Sequence, residues 1–467
     1  MAIYLKSLKL KDYKSFAGEN TFNFAYNHNE TGNYKLPQCT VFLGDNGTGK
    51  TNLLKVLANL QPERRTITDV KSNENSKNSD NKIQDLHLEL TFEGNEPKTN
   101  TLTELYGPKV YERYLDDNYE VDLDFIINEG SITKLSSTKF KPYGKNIRHN
   151  NFILSSNYHI GYRKSINIVE HNTPDLSDVL IYAYGVNRFA DTQRNLESSS
   201  LADTLFDNNH PLINLEEWLL QLHMAASSSE DANQRKKASK RINLIKSIIR
   251  EAKIFPGLET FRVDFDENLN ANIIFVTEYG ELHYHDLGYG YQCMMAWIFD
   301  FIKKMFDRYP DSSKPLHEPA ILMVDEIDLH LHPHWQRHVL KDLCNLFPAT
   351  QIIVSTHSPL VIQSVSSMNL FLLQNVDRHT AIIQYPARTF QGWSVEEILS
   401  ELMALGPDTR SEEYIILKNK FEHALNTGNV KSGLEYYGRL KEMLFPGSAE
   451  SDLLEMDKDH LESISND

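Results

Sequence analysis

One octapeptide constrains this chain more than any other feature. Gly44-Asp45-Asn46-Gly47-Thr48-Gly49-Lys50-Thr51 fits the pattern G-x-x-x-x-G-K-[ST], and both of its flanks have the character that pattern requires. Upstream, Cys39-Thr40-Val41-Phe42-Leu43 is the apolar run of a buried strand. Downstream, Asn52 to Leu60 has helical character. Strand, glycine turn and helix in that order aim backbone N–H groups and a helix N-terminus at one point, which suits a phosphate. Lys50 would reach the β- and γ-phosphates, and the Thr51 hydroxyl would ligate magnesium. Asn46, Gly47, Thr48, Gly49 and Asn52 complete the candidate contacts. The bland alternative is an ordinary glycine-rich turn.

Two further strand ends carry chemistry. Ala320-Ile321-Leu322-Met323-Val324 is a second buried run and ends in Asp325-Glu326. Carboxylates there would lie at the crevice where α/β sheets bind ligands. Asp325 would hold magnesium through water, and Glu326 would act as general base on the attacking water. Gln351 to Val354 leads into Ser355-Thr356-His357-Ser358-Pro359. His357 there could sense a γ-phosphate by hydrogen bond, although a lone histidine at a strand end is more often structural. Leu287-Gly288-Tyr289-Gly290-Tyr291-Gln292 opens a helix, so Gly290 marks a second anion site. Met294, Ile298, Phe301, Ile302 and Met305 place one apolar stripe along that helix.

In this order the four elements resemble the ATP-binding-cassette type of P-loop ATPase, in the branch of SMC-like, RecF-like and OLD-type proteins. Asp325-Glu326-Ile327-Asp328-Leu329-His330-Leu331-His332-Pro333, followed by Ser355-Thr356-His357-Ser358-Pro359, is characteristic of that group. The resemblance implies an α/β P-loop head with an antiparallel β subdomain, an inserted helical lobe and a helical C-terminal tail. It also implies ATP and Mg2+ as ligands, and a homodimer in which Gly290 of one subunit completes the site of the other. Asp328 would run across that dimer interface. Gly288 stands where serine is common, so no serine hydroxyl is expected on the partner's γ-phosphate.

The tail narrows the group. Trp393-Ser394-Val395-Glu396-Glu397-Ile398-Leu399, then Asp408-Thr409-Arg410-Ser411 and two helices, resembles the ATPase subunits of Septu defence and retron-associated ATPases. That resemblance implies a separate HNH nuclease partner in antiviral immunity. The alternative is a RecF-like repair ATPase acting directly on DNA. No heptad arms emerge, and no dispersed acidic motifs of a Toprim nuclease follow residue 390.

The expected organisation is an N-terminal part of the head over 1–195, with a flexible insertion at 63–84 rich in Asn, Ser, Asp and Lys. A helical lobe follows over 196–253, the C-terminal part of the head over 254–392, and an acidic helical tail over 393–467. Residues 396–467 hold 16 acidic and 7 basic side chains, a net of −9 within the chain's −16. The overall acidity excludes a bulk basic surface, yet Arg235, Lys236, Lys237, Lys240, Arg241, Lys246 and Arg250 form a basic stretch. A solvated helix face and a contact with DNA phosphates fit that stretch equally well. A solvated surface is the better account of the shorter run Lys134, Lys139, Lys141, Lys145 and Arg148. The acidic end suits a protein partner.

Apolar runs are too short to span a bilayer, and the first residues lack the pattern of a signal peptide. The expectation is a cytoplasmic protein without a membrane part. Cys39, Cys293 and Cys344 are isolated, which argues against a disulfide framework or a thiolate zinc site. His330, His332, His334 and His338 are better explained by the Leu-His-Leu-His-Pro string than by zinc. Tyr184-Gly185-Val186-Asn187-Arg188 ends another buried strand, from which Arg188 could face the nucleotide or bridge the head to the helical lobe, and its spacing does not choose between the two.

Overall fold

The structure is a computed structural model. It describes residues 2–27, 34–59, 62–67, 103–108, 120–129, 132–140, 181–191, 201–251, 254–403 and 410–464. The chain divides into two compact units, Met1–Gly392 and Trp393–Asp467.

The first unit is built on a six-stranded sheet. Its order is Ile181–Tyr184, Ala320–Val324, Thr350–Thr356, Cys39–Gly44, Met368–Val376 and His379–Arg388. The first five strands run parallel and the last two form an antiparallel pair. Cys39–Gly44, Ala320–Val324 and Thr350–Thr356 are buried at every position, as parallel strands covered on both faces must be. The parallel arrangement puts the ends of all three on one edge, so residues from three distant stretches of sequence meet.

A four-stranded antiparallel sheet joins Phe16–Asn23, Ala2–Tyr13, Glu120–Glu129 and Ile132–Phe140. Leu5 and Leu8 are both fully buried, which a strict two-residue period forbids. A register shift between Leu5 and Ser7 absorbs the odd residue as a bulge. At that bulge Leu5 donates its N–H to Gln351 Oε1 at 2.8 Å and accepts from Gln351 Nε2 at 3.0 Å. Between the two sheets lie Phe16, Phe22, Phe42 and Phe371, with successive ring centroids 5.3–6.1 Å apart. The helix Lys50–Asn59 packs Leu53, Leu54 and Leu57 into this cluster. Each such side chain contributes ~1.5–3 kcal/mol of apolar burial.

The helix Tyr289–Arg308 differs from its one-striped reading. Every residue from Cys293 to Ile302 is buried, as are Lys304, Met305 and Phe306. Two of its polar side chains lie in the interior and pair there. Lys304 Nζ lies 2.8 Å from Asp300 Oδ2, which also accepts from Tyr184 Oη at 2.7 Å. The helices Leu215–Ser228 and Ala232–Glu251 pack together, and they bury Trp218, Leu219, Ile242, Ile245 and Ile249. A three-stranded antiparallel sheet, Leu258–Phe265, Ala271–Thr277 and Gly280–Leu282, follows them.

Residues 62–67, whose last five open the expected flexible insertion, form a strand paired with Thr103–Pro108. Residues 68–84 lie outside the described residues. So do the side chains of Lys134 and Lys139 and all of Lys141, Lys145 and Arg148.

The second unit holds a short helix, Val395–Glu401, started by a Ser394–Glu397 capping box. Beyond Ser411 come three helices, where two were expected: Glu412–Thr427, Val430–Met443 and Ala449–Ile464. Pro446-Gly447, with Gly447 at φ +77°, separates the last two. Tyr414, Leu417, Phe421, Leu440 and Leu461 form their core. Among the described residues no helix is long and apolar enough to cross a membrane.

Candidate functional site

Each end of the phosphate loop is shaped by a close approach that only glycine permits. A Cβ on Gly44 would lie 2.2 Å from the Leu373 carbonyl oxygen, and one on Gly49 2.8 Å from Ser15 Oγ. Gly49 also sits at φ +93°, where side chains are strained. Asn46 and Gly47 face solvent, while Thr48, Gly49 and Lys50 are buried. Thr48 Oγ1 donates to the Asp45 carbonyl at 2.8 Å and Thr380 Oγ1 to the Thr48 carbonyl at 3.0 Å, which fixes the loop's curvature. Lys50 Nζ is folded back over the turn, donating to the carbonyls of Gly44 at 2.6 Å and Asp45 at 2.9 Å. Burial lowers its affinity for its proton, and the nearby carboxylates of Glu326, Asp325, Asp45 and Asp328 oppose that shift. Asn52 lies one turn further on and accepts from Lys14 Nζ at 2.9 Å.

The acidic strand end meets this loop directly. Thr51 Oγ1 donates to Asp325 Oδ2 at 2.7 Å across 274 residues of sequence. Asp325 is fully buried, and its other oxygen accepts from Ser355 Oγ at 2.5 Å. Ser355 Oγ in turn accepts from the Glu326 N–H at 2.7 Å. Glu326 follows at φ +45°, a left-handed conformation that turns the chain out of the strand. Asp328 accepts from Thr356 Oγ1 at 2.5 Å within its own subunit. His357 is half-buried, and its Nε2 has no partner among the described residues.

These residues fit a magnesium–nucleotide. A hydroxyl and a carboxylate share one hydrogen bond where the cation would sit. The glycine turn supplies backbone donors and Lys50 a charge, and His357 Nε2 is buried without a partner among the described residues. Thr51 and Asp325 would hold the metal, which when bound neutralises developing phosphate charge.

Gly290 stands elsewhere in the first unit. A Cβ there would lie 2.4 Å from the His330 carbonyl oxygen. Tyr289 and His330 meet edge to face at 4.8 Å, and Tyr291 and Trp335 at 4.4 Å. The glycine is thus required inside its own subunit, whatever it contacts in a second copy. His332 Nδ1 accepts from the His334 N–H at 3.2 Å, and His334 packs on His338 at 5.6 Å. Among the described residues no group of three His, Cys, Asp or Glu side chains is arranged to hold a metal.

Arg188, Ser355 and Thr356 were unassigned by pattern. Arg188 is 2% exposed and donates to the carbonyls of Asp325 at 2.6 Å and Glu326 at 3.0 Å. No side-chain pattern could announce an arginine whose partners are backbone oxygens 137 and 138 residues away. The polar run Ser355-Thr356 at a strand end was a usable signal for the other two.

The basic helix is partly spoken for. Arg235 donates to the carbonyls of Ser229 and Glu230, Arg241 donates to the Phe306 carbonyl at 2.7 Å, and Lys246 lies 5.2 Å over the Phe261 ring. Lys236, Lys237, Lys240 and Arg250 are exposed.

Residues 3–362 match the AAA ATPase domain family. A Septu protein PtuA from Bacillus thuringiensis is 33% identical over 190 residues, 40% of this chain and 48% of that protein. A retron Vc95 probable ATPase from Vibrio cholerae is 28% identical over 187 residues, 39% of this chain and 36% of that protein. The chain thus spans about half or less of the length of these relatives. An SMC head solved with the C-winged helix domain of ScpA aligns over 82% of this chain and 98% of that chain, at TM-score 0.42 and 14% identity.

Proposed function

We propose, from the premise that this chain belongs to the AAA ATPase domain family, that it binds and hydrolyses ATP as the nucleotide-gated subunit of an antiviral defence complex. The observation that carries the enzymatic part is the Thr51–Asp325 hydrogen bond, which joins the phosphate loop to the acidic strand end. On this reading Lys50 and the backbone of Asn46 to Asn52 hold the phosphates. Glu326 accepts a proton from the attacking water, and His357 Nε2 bonds the γ-phosphate. The likeness to Septu and retron ATPases supports the defence role. In that role two copies close over two nucleotides, with Gly290 of each completing the other's site, and the closed pair regulates a separate HNH nuclease.

The test is Glu326→Gln. General-base removal costs ~10²–10⁴-fold in turnover, so the variant should bind ATP, lose turnover by about that factor and accumulate as an ATP-dependent dimer. Light scattering after gel filtration with ATP reads the mass. An unchanged mass rejects the two-copy site, and full turnover rejects Glu326 as base.

A second reading, direct action on DNA, is favoured by the exposed Lys236, Lys237, Lys240 and Arg250 on a helix whose one acidic residue is Glu251. Changing these four to Gln should flatten the salt dependence of DNA binding by the isolated chain. Binding that is absent, or insensitive to the four changes, rejects it.

A further inference from the structure

We propose that Arg188 is a positioning residue for Glu326, and that it relays the state of the helix start at Tyr289–Gly290 to that carboxylate. The proposal rests on the hydrolytic reading of Glu326 and deepens it.

The geometry begins with a backbone problem. Glu326 sits at φ +45° without being glycine. A conformation of this kind costs roughly 1–3 kcal/mol and persists only where the surroundings over-determine it. Here both sides of the backbone are held. Ser355 takes the N–H groups: Glu326 N donates to its Oγ at 2.7 Å and Ile327 N to its carbonyl at 3.0 Å. Arg188 takes the carbonyls: Nη1 binds Asp325 O at 2.6 Å and Nη2 binds Glu326 O at 3.0 Å. Nη1 also reaches the Gly185 carbonyl at 3.2 Å, which ties the clamp to the neighbouring strand. A planar fork spans two successive carbonyls, as a lysine ammonium cannot. The direction of the Glu326 side chain follows from the backbone so held.

The same guanidinium faces a second element. Its electrostatic neighbours include the thiol of Cys293, one helical turn after Tyr289 on the same helix. Tyr289 is 58% exposed and its ring meets His330, which has φ +64° on the loop that starts at Glu326. The Gly290 backbone closes against the same His330 carbonyl. The helix start therefore touches the acidic loop through His330, and Cys293 of the same helix lies in the electrostatic neighbourhood of Arg188. Arg188 Nε has no partner among the described residues, so the guanidinium keeps a donor with which to shift between arrangements. A chain or nucleotide pressing on the exposed Tyr289–Gly290 segment would move the clamp, and with it the base.

The experiment compares the full-length chain with Arg188→Lys, Arg188→Met and Tyr289→Ala. Positioning groups behind a reacting group are worth ~10–100-fold. Arg188→Met should lower kcat about 100-fold and Arg188→Lys about 10-fold, with KM for ATP within twofold of the parent. Tyr289→Ala should lower kcat by a smaller factor, again at constant KM. Hydrogen exchange should quicken over residues 325–331 in all three and stay unchanged over residues 44–52. Equal kcat, or KM rising in step with a falling kcat, overturns the proposal. So does unchanged exchange over 325–331, which decides the matter even where Arg188→Met unfolds, because Tyr289→Ala reads the same peptide. A parent chain without any turnover would instead refute the hydrolytic reading, and the exchange comparison would still judge the clamp.

Discussion

The two loops that meet at the Thr51–Asp325 hydrogen bond solve the same backbone problem in opposite ways. The phosphate loop takes its left-handed turns at Gly47 and Gly49, residues for which that conformation has no steric cost. The acidic loop takes its left-handed turns at Glu326 and His330, where side chains resist it. One loop is shaped by what its residues lack. The other is shaped by what holds it, namely Arg188, Ser355 and the helix start at Tyr289–Gly290. The first kind of loop can be built by local sequence alone, whereas the second needs the whole sheet assembled around it.

The largest test of this contrast is Lys50→Ala. The phosphate loop's one cationic side chain should account for most of its phosphate binding. ATP affinity measured calorimetrically should fall by ~10²-fold or more, and retained affinity near the parent value would mean the backbone suffices. Gly49→Ala comes next. The added methyl meets Ser15 Oγ at 2.8 Å and Phe16 at 2.9 Å at φ +93°, so stability should drop by about 1–3 kcal/mol. An unchanged urea midpoint would show that the loop does not need glycine there. The smallest expected effect has the opposite sign. Glu326→Gly removes the strained side chain and should raise stability by about 1 kcal/mol, while abolishing turnover. A fall in stability would show that the acidic loop is not strained against its clamp.

The contrast also explains what the sequence could and could not say. The octapeptide, the two carboxylates after Val324 and the polar run at Ser355 are contiguous strings, and each string lands intact on the edge of one parallel sheet. The bulge at Leu5–Ser7 is legible too: Ile3, Leu5, Leu8 and Leu10 alternate with Lys6, Lys9 and Lys11 except for a slip in phase near Ser7. Arg188 is not legible, because hydrogen bonds to carbonyl oxygens leave no trace in side-chain identity. The helix Tyr289–Arg308 misled for a related reason. Asp300 and Lys304 satisfy each other and Tyr184 in the interior, and pairing of that kind is invisible to a pattern of apolar spacings. The three-helix count after Ser411 turned on Pro446-Gly447 within a stretch otherwise of helical character.

The contact of Gly290 with the His330 carbonyl has a consequence for how this protein can be interrogated. In the proposed two-copy site, Gly290 is the position that would reach the other subunit's nucleotide. Here any side chain at 290 collides with its own subunit at 2.4 Å, so a dead Gly290 variant is silent about who touches whom. Mixing experiments with two differently crippled copies should carry the crippling change at Lys50 in one and at Gly288 in the other. A Cβ at 288 meets nothing within 4 Å, so a loss of function there reports on a neighbour from outside the chain.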